Sequence, residues 1–463
     1  MTLETDYLVV GAGALGMGFA DAMVPRSDAD VILVDRHHSP GGHWNDDYDF
    51  VQLHQPSAYY GCDSTPLGSD HLDESGPNAG FYERATGRQM RRYYERVLQE
   101  KLLPTGRVRF LGLSSYLGES SREHVVSSLI TGATRSIRVR KRVVDATYIA
   151  TTLPSMHKPS FSVEPGARLV PPNALVRLDS PGSRFTVIGA GKTAMDTCCW
   201  LIDNGVDPDA IRWIRPRDPF TVDRTWAQPL KLAGSMAEWL ARTYEAAADA
   251  DDARDLVRLL EEREVIRRLD PNAEASVYRG ATLSPLERTT LARISDVVRL
   301  GRVVHLGRDQ VQLEGGTIPA RAAEVFVDCS APGLGMPPAR PVFEQDRITL
   351  QRVQAGVDPF SAAVIGVVES TDRDVREKNT LCPPNAFTGE VLNLGREILV
   401  TLVARTRWLA EPDIRDWLST TRLSPLRGVS RYMSPEMQAS LGRLVTSTPR
   451  AIENLERIYG PVP

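Results

Sequence analysis

The sequence predicts an α/β protein made of two Rossmann-like units, the second inserted in the first. Two glycine fingerprints along the chain carry this, each with an apolar strand before it and a helix after it. The length of 463 residues agrees, since roughly 150 residues per domain allows two or three cores.

The first fingerprint is complete. "DYLVVGAGALGMGFADAMV" runs strand, Gly11-Ala12-Gly13-Ala14-Leu15-Gly16, helix, and a second apolar strand, "DVILVD", ends at Asp35. The first glycine makes the tight turn, the second admits a phosphate to the backbone, and the third lets helix pack on strand. The helix N-terminus then faces a pyrophosphate. Asp35 stands where a carboxylate accepts hydrogen bonds from a ribose diol.

The second fingerprint, "TVIGAGKTAMD", invites an ATP-binding reading because of its lysine. A Walker loop needs a further glycine where this chain has Thr186, inside an apparent strand. "RFTVIGAGKTAMDTCCWLIDNG" instead supplies a strand, Gly189 and Gly191 with Ala194 in the third place, and a helix, so the dinucleotide reading is preferred.

Between and after the fingerprints, the expected domains are residues 1–159, then 160–319 with a charged helical insertion after Pro229, then 320–463 rejoining the first unit. "GRQMRRYYERVLQEKLL" reads as an amphipathic helix, "VRFLGLSSYLG", "EHVVSSLIT" and "SIRVRKRVV" as a strand meander, and "ATYIATTLPSMHKPSF" as a strand leaving the unit. "RVVHLGRD" and "QVQLEGGTI" read as paired strands and "NLGREILVTLVARTRWL" as a helix. "DATYIATT" and "EVFVDCSA" echo each other: an acid, a β run, then small residues that let backbone pass close to a cofactor or a neighbouring domain.

Composition narrows the function classes. Hydrophobic content of 42% and charged content of 25% describe an ordinary soluble globular protein. A net charge of -4 gives no reason to expect nucleic acid or an anionic membrane as partner. The longest apolar run near the end is broken by Arg405 and Arg407 and is too short to span a bilayer. No leader precedes the first strand and the five cysteines form no even framework, so reduced thiols in the cytoplasm are expected. The lack of a CxxC or CxxxxC pair argues against a disulfide reductase.

The two sites differ at the end of the second strand. A carboxylate there favours a free 2'-hydroxyl, which suits Asp35 to FAD or NAD. In the second unit "AIRWIRPRD" places Arg215 and Arg217 there, and guanidinium groups grip a 2'-phosphate, which suits NADPH; for either arginine alone a solvated surface charge is the plainer reading. Lys192 adds a charge near the pyrophosphate. A flavin beside NADPH is chemically more productive than two nicotinamides, because it accepts a hydride and can react with oxygen or pass electrons on.

The run "VVGAGALG … VDRHHSPGGHW … ATTLPSMHKPSF … VIGAGKTAMD … VDCSAPGLG" resembles the class B flavoprotein monooxygenases, the flavin-containing, Baeyer-Villiger and N-hydroxylating enzymes. The resemblance implies FAD in the first unit and NADPH in the second. It places Asp35, Arg36, Gly42, His43, Trp44, Ala150 and Thr151 along FAD, and Gly189, Gly191, Lys192, Thr193, Arg215 and Arg217 along NADPH. It implies oxygen addition at the flavin C4a and transfer to a small organic substrate, with molecular oxygen as co-substrate.

Three departures stand out. No linker histidine precedes the second fingerprint, "ATG" reads Ala150-Thr151-Thr152, and His54 or Gln55 of "QLHQPS" replaces an asparagine that steadies the oxygenated flavin. Either residue can donate to a peroxide oxygen, and either can equally be a satisfied loop residue. An NADPH reductase or oxidase without oxygen transfer, and a nucleotide-holding redox sensor without turnover, are the competing expectations. Substrate and oligomeric state lie beyond the sequence.

Overall fold

The computed structural model describes residues 2–120, 123–321 and 323–462. Strand β1 (Leu3–Val10) leads through the first glycine turn into α1 (Ala14–Met23), and β2 (Val31–Val34) returns beside β1. A loop-rich stretch precedes α2 (Gly87–Val97), which starts at Thr86 because its hydroxyl and the Gln89 side chain cap each other's backbone N–H groups. β3 (Val108–Leu111) extends the sheet in parallel beyond β2. It is not part of the expected meander, which consists of β4 (Ser114–Ser120), β5 (Glu123–Ser128) and β6 (Thr134–Asp145).

β6 serves two neighbourhoods. Its first half pairs with β5, and its second half runs parallel to β1, with Val144 opposite Val9. It ends at Asp145, so residues 146–161 do not form the exiting strand read from the sequence. They lie as turns over the cleft, where a strand would have no partner for its N–H and C=O groups.

The second sheet begins with β7 (Ser162–Val163) and β8 (Leu169–Val170) on the way in, then β9 (Arg184–Ile188), α3 (Lys192–Asp203) and β10 (Ile211–Ile214). β11 (Asp218–Asp223) leads to the insertion, α4 (Ala233–Asp249) and α5 (Ala253–Glu262), and β12 (Arg267–Arg268) and β13 (Ala275–Leu283) close a small sheet on β11. Next come α6 (Pro285–Ala292), β14 (Asp296–Val298), the hairpins β15 (Val303–Leu306), β16 (Gln310–Leu313) and β17 (Gly316–Pro319), and β18 (Glu324–Asp328). The order β14-β10-β9-β18-β8 is parallel throughout, as a doubly wound sheet with strands buried on both faces requires.

β18 corrects one expected boundary. The sequence puts it with the segment that rejoins the first unit after residue 319, but it pairs along β9 in the second sheet. Its position copies that of β6 beside β1, which explains the sequence echo between them. The chain re-enters the first sheet at β19 (Arg347–Thr349), parallel to β6.

α7 (Asp358–Glu369) then packs across α1. A Cβ on Gly366 would sit 2.7 Å from the Phe19 carbonyl oxygen, so the two backbones meet directly. Helix α7 is buried along its whole length, which accounts for its apolar sequence on every face.

α8 (Val375–Leu381), α9 (Leu394–Ala410), α10 (Pro412–Thr420) and α11 (Pro435–Tyr459) complete the chain. α11 lies on α4, held by Arg443 to Glu238 and Glu245 and by Asn454 to the carbonyls of Ala247 and Ala250. The apolar residues of the insertion recur at helical spacing, which implies a packing face, and its cover is the end of the same chain. The sequence-derived fold class, α/β with two Rossmann-like units, is the observed one.

Candidate active site

Both glycine turns open onto one cleft of about 1240 Å³ between the two sheets. In the first turn Gly11, at φ +99°, donates its N–H to the Val34 carbonyl at 2.8 Å. Gly16 does not line the cleft: a Cβ there would overlap the Gly11 carbonyl oxygen, so its absence lets α1 start directly against β1. Gly13, Ala14 and Leu15 face the cleft. The Gly41-Gly42 bend closes over this turn, with Gly41 N–H on the Ala12 carbonyl at 2.8 Å. Gly42, at φ +56°, comes so close that its Cβ would lie 2.8 Å from the Gly13 Cα.

Asp35 joins the turn rather than merely following it. One carboxylate oxygen accepts the Ala12 N–H at 2.7 Å, and the other accepts the His37 backbone N–H and lies 2.8 Å from its Nδ1. Burial would raise the Asp35 pKa, but the His37 ring and these amides outweigh it and hold the carboxyl below its ordinary value. His37 is raised in turn by its bond to Asp35, against the opposing effect of burial and with help from Asp46, 2.8 Å from its Nε2. Arg36, half exposed at the cleft edge, reaches the same Asp46 at 3.3 Å.

His43 and Trp44 lie side by side with ring centroids 4.8 Å apart. Burial pushes His43 down to about 4, so it is uncharged at neutral pH. Ala150 and Thr151 line the cleft where the loops after β6 and β18 meet, and Thr152 N–H bonds the Gly333 carbonyl at 2.8 Å. A Cβ on Gly335 would sit 2.9 Å from the Ala150 carbonyl oxygen, the close approach expected from the small residues of the echo.

In the second turn Gly189 N–H bonds the Ile214 carbonyl at 3.0 Å, matching Gly11. Gly191 differs from Gly13, because nothing lies within 4 Å of where its Cβ would be. Thr193 lines the cleft, as does Lys192, whose ammonium is held by Asp196. Asp196 also accepts the Tyr48 hydroxyl at 2.9 Å, which ties the second turn to the segment after Trp44.

The two arginines part company. Arg217 lines the cleft, half exposed, with Glu390 at 2.6 Å. Arg215 does not reach the cleft, contrary to expectation. It is buried over the Trp213 ring at 4.9 Å, and it pairs with Asp218 at 3.1 Å and Asp270 at 3.4 Å. Both lie past the end of β10 in the turn before β11, where strand alternation no longer sets direction, and their partners do: Asp218 and Asp270 draw Arg215 inward, while Glu390 holds Arg217 at the cleft edge.

His54 and Gln55 both line the cleft. The His54 carbonyl accepts the Thr282 hydroxyl at 2.6 Å, while its ring nitrogens bond no described residue. Burial, reinforced by Lys192, Arg84 and Arg224, drives His54 down to about 3, so its ring is neutral and keeps one N–H to donate. Behind it Glu287 bridges Arg84 at 3.4 Å and Arg224 at 2.6 Å. Burial alone would raise Glu287, but Lys192, Arg224 and Arg84 hold it at about 2.

Several cleft groups escaped the sequence reading. Gln354 precedes α7, whose N-terminus faces the cleft, and its buried side-chain amide oxygen Oε1 has no hydrogen-bond partner among the described residues. The Trp44 indole N–H is likewise unpaired. Arg279 and Arg302 approach Arg217 from β13 and from the turn before β15. The only available signal was the "GVDPF" helix start; the arginines lie far along the chain and carry none.

Residues 9–61 match the NAD(P)-binding Rossmann-like domain family. Over 426 residues the chain is 42% identical to the uncharacterized protein Rv2000 of Mycobacterium tuberculosis and, equally, to the uncharacterized protein Mb2023 of Mycobacterium bovis; the match covers 92% of this chain and 78% of each relative. A solved structure of an oxidized steroid monooxygenase bound to NADP superposes with a TM-score of 0.50 at 13% identity, covering 98% of each chain. At that identity the likeness is one of fold, and the fold is the two-unit architecture expected from the monooxygenase resemblance.

Proposed function

The chain belongs to the family of the uncharacterized mycobacterial protein Rv2000, and on that premise we propose that it is an FAD- and NADPH-dependent oxidoreductase, a monooxygenase acting on a small organic substrate. One observation carries the reading: a single cleft joins both glycine turns and contains unpaired buried polar groups on the first-turn side. Buried polar atoms without partners are costly, and a bound group that satisfies them removes the cost.

The residues fit FAD. Gly13 and Gly42 leave backbone bare beside the N-terminus of α1, where a pyrophosphate would sit. Asp35 keeps lone pairs for a ribose diol, and Arg36 lines the cleft beside it. The Trp44 N–H and the Gln354 side-chain amide oxygen would serve the ring system, with Gly42, His43, Ala150 and Thr151 as its close neighbours. When bound, a flavin takes a hydride from NADPH and passes electrons to dioxygen.

NADPH fits the second turn, with Gly189, Gly191 and Thr193 along the pyrophosphate and Lys192 as the nearby charge. Arg217, Arg279 and Arg302 would hold the 2'-phosphate, in place of the Arg215–Arg217 pair read from sequence. His54 and Gln55 would donate hydrogen bonds to an oxygen atom between the two ring sites. The domains follow this division, with the second unit extended to include β18 and the first resumed near β19.

Purified protein should be yellow, and anaerobic NADPH should bleach it faster than NADH does. Oxygen uptake should then exceed hydrogen peroxide release once a substrate is present. A colourless protein that cannot be reconstituted sinks the flavin reading. Stoichiometric peroxide with every substrate leaves the oxidase reading, which the missing linker histidine favours.

A further inference from the structure

The cleft continues beyond the two turns into the inserted helical layer. There it is walled by Phe220, Trp239, Tyr244, Leu260, Tyr278 and Ile398, contributed by β11, α4, α5, β13 and α9. One acid interrupts this wall. Glu397, in the first turn of α9, is 5% exposed and lines the cleft, and its carboxyl group forms no hydrogen bond or ion pair with any described residue. Its backbone carbonyl is separately satisfied by Asn385 at 3.0 Å and Thr401 at 2.8 Å. A carboxyl left unpartnered in such a place costs stability, so its retention points to a ligand.

The surroundings decide the ligand's charge. Two guanidinium groups line the same region, Arg352, which is paired with Asp358 at 2.5 Å, and Arg405 two turns along α9. Both oppose a cationic guest. Burial among apolar side chains pushes Glu397 up to about 8, although Arg352 draws it down, so at neutral pH it carries a proton to donate.

Resting on the oxidoreductase reading for its location, we propose that this lobe binds an uncharged, mainly apolar molecule bearing one acceptor oxygen, which Glu397 positions by donating a carboxyl O–H hydrogen bond to it. The apolar body displaces water from the aromatic wall and contributes most of the affinity. The hydrogen bond fixes which end of the molecule faces the ring sites.

Equilibrium dialysis of the oxidised holoenzyme tests this without turnover, using 2-acetylnaphthalene, the matched 2-ethylnaphthalene and the ammonium 2-(2-naphthyl)ethylamine. Wild type should bind the ketone about tenfold more tightly than the hydrocarbon, the worth of one such bond. Glu397→Gln, which keeps a neutral donor, should retain the preference, and Glu397→Leu should abolish it while binding the hydrocarbon at least as well. Equal binding of ketone and hydrocarbon by wild type overturns the proposal even where the leucine variant does not fold. So does tightest binding of the amine, or a ketone preference that survives in Glu397→Leu. Flavin absorbance and NADPH bleaching, read on the same samples, separate a failed lobe from a failed oxidoreductase.

Discussion

The two glycine turns share a backbone and differ in what covers them. The first is roofed by Gly41 and Gly42, and its second-strand carboxylate bonds the turn itself through the Ala12 N–H. The second has open space at Gly191, and its second-strand arginine, Arg215, faces into the protein toward Asp218 and Asp270. Under the proposed function, the covered turn would hold its nucleotide permanently and the open one would exchange it. Under the proposed assignment, the group that selects the nucleotide sits at the strand end in the first unit and on β13 and two turns in the second.

The largest test lies at the third glycine. Gly16→Ala forces a methyl group into the Gly11 carbonyl and should cost about 3 kcal/mol in unfolding, with loss of bound chromophore. The corresponding Ala194→Gly, at a fully buried helix position, should cost only about 1 kcal/mol. Equal costs would mean that the two turns are packed alike.

The arginines come next. Arg215→Ala removes one of the two guanidinium partners of buried Asp218, leaving Arg299 at 2.7 Å, and should destabilise by about 2 kcal/mol while leaving the NADPH-to-NADH ratio unchanged. Arg217→Ala combined with Arg302→Ala should leave thermal stability within about 0.5 kcal/mol. It should lower kcat/KM for NADPH by about thirtyfold, with NADH little affected, because a phosphate loses two charge-assisted partners. A loss of NADPH preference in the Arg215 variant instead would restore the strand-end assignment.

Smaller effects separate roof from opening. Gly42→Ala, at positive φ and against Gly13, should lower chromophore content. Gly191→Ala should leave that content intact and raise KM for NADPH about tenfold, since the methyl group meets only incoming phosphate. Both are read by absorbance ratio and steady-state kinetics.

The smallest effects concern two histidines of opposite sign. His37 is raised by Asp35, so its stabilisation is complete below about 6.5 and fades as pH rises through its folded value. His37→Gln should therefore destabilise more at pH 5.5 than at pH 8.5. His54, held at about 3 by burial and nearby cations, loses stability as pH falls below about 6.5. His54→Gln should flatten the acid side of a melting-temperature profile, and it should add or remove no step near pH 6.5 in the activity profile.

Local pattern made much of this legible. Each strand–glycine–helix run lies within a few residues, so the turns, Asp35, the Gly41-Gly42 bend and the helices α2, α4 and α9 could be read directly. The periodicity of α4 announced a packing face, though not that α11 would cover it. The place of β18 beside β9 is not legible locally, because a buried strand's composition does not say which sheet it joins.

By itself, then, the sequence determined what short-range geometry controls: where backbone must be bare, where helices begin and which acid closes the first turn. Tertiary structure alone decided which way Arg215 points, which distant guanidinium groups gather at Arg217, and that Gln354 and Glu397 are left unpaired in the cleft. The physical reason is that direction and partnership at a site depend on which residues, near or far along the chain, burial brings together, and no local spacing encodes that.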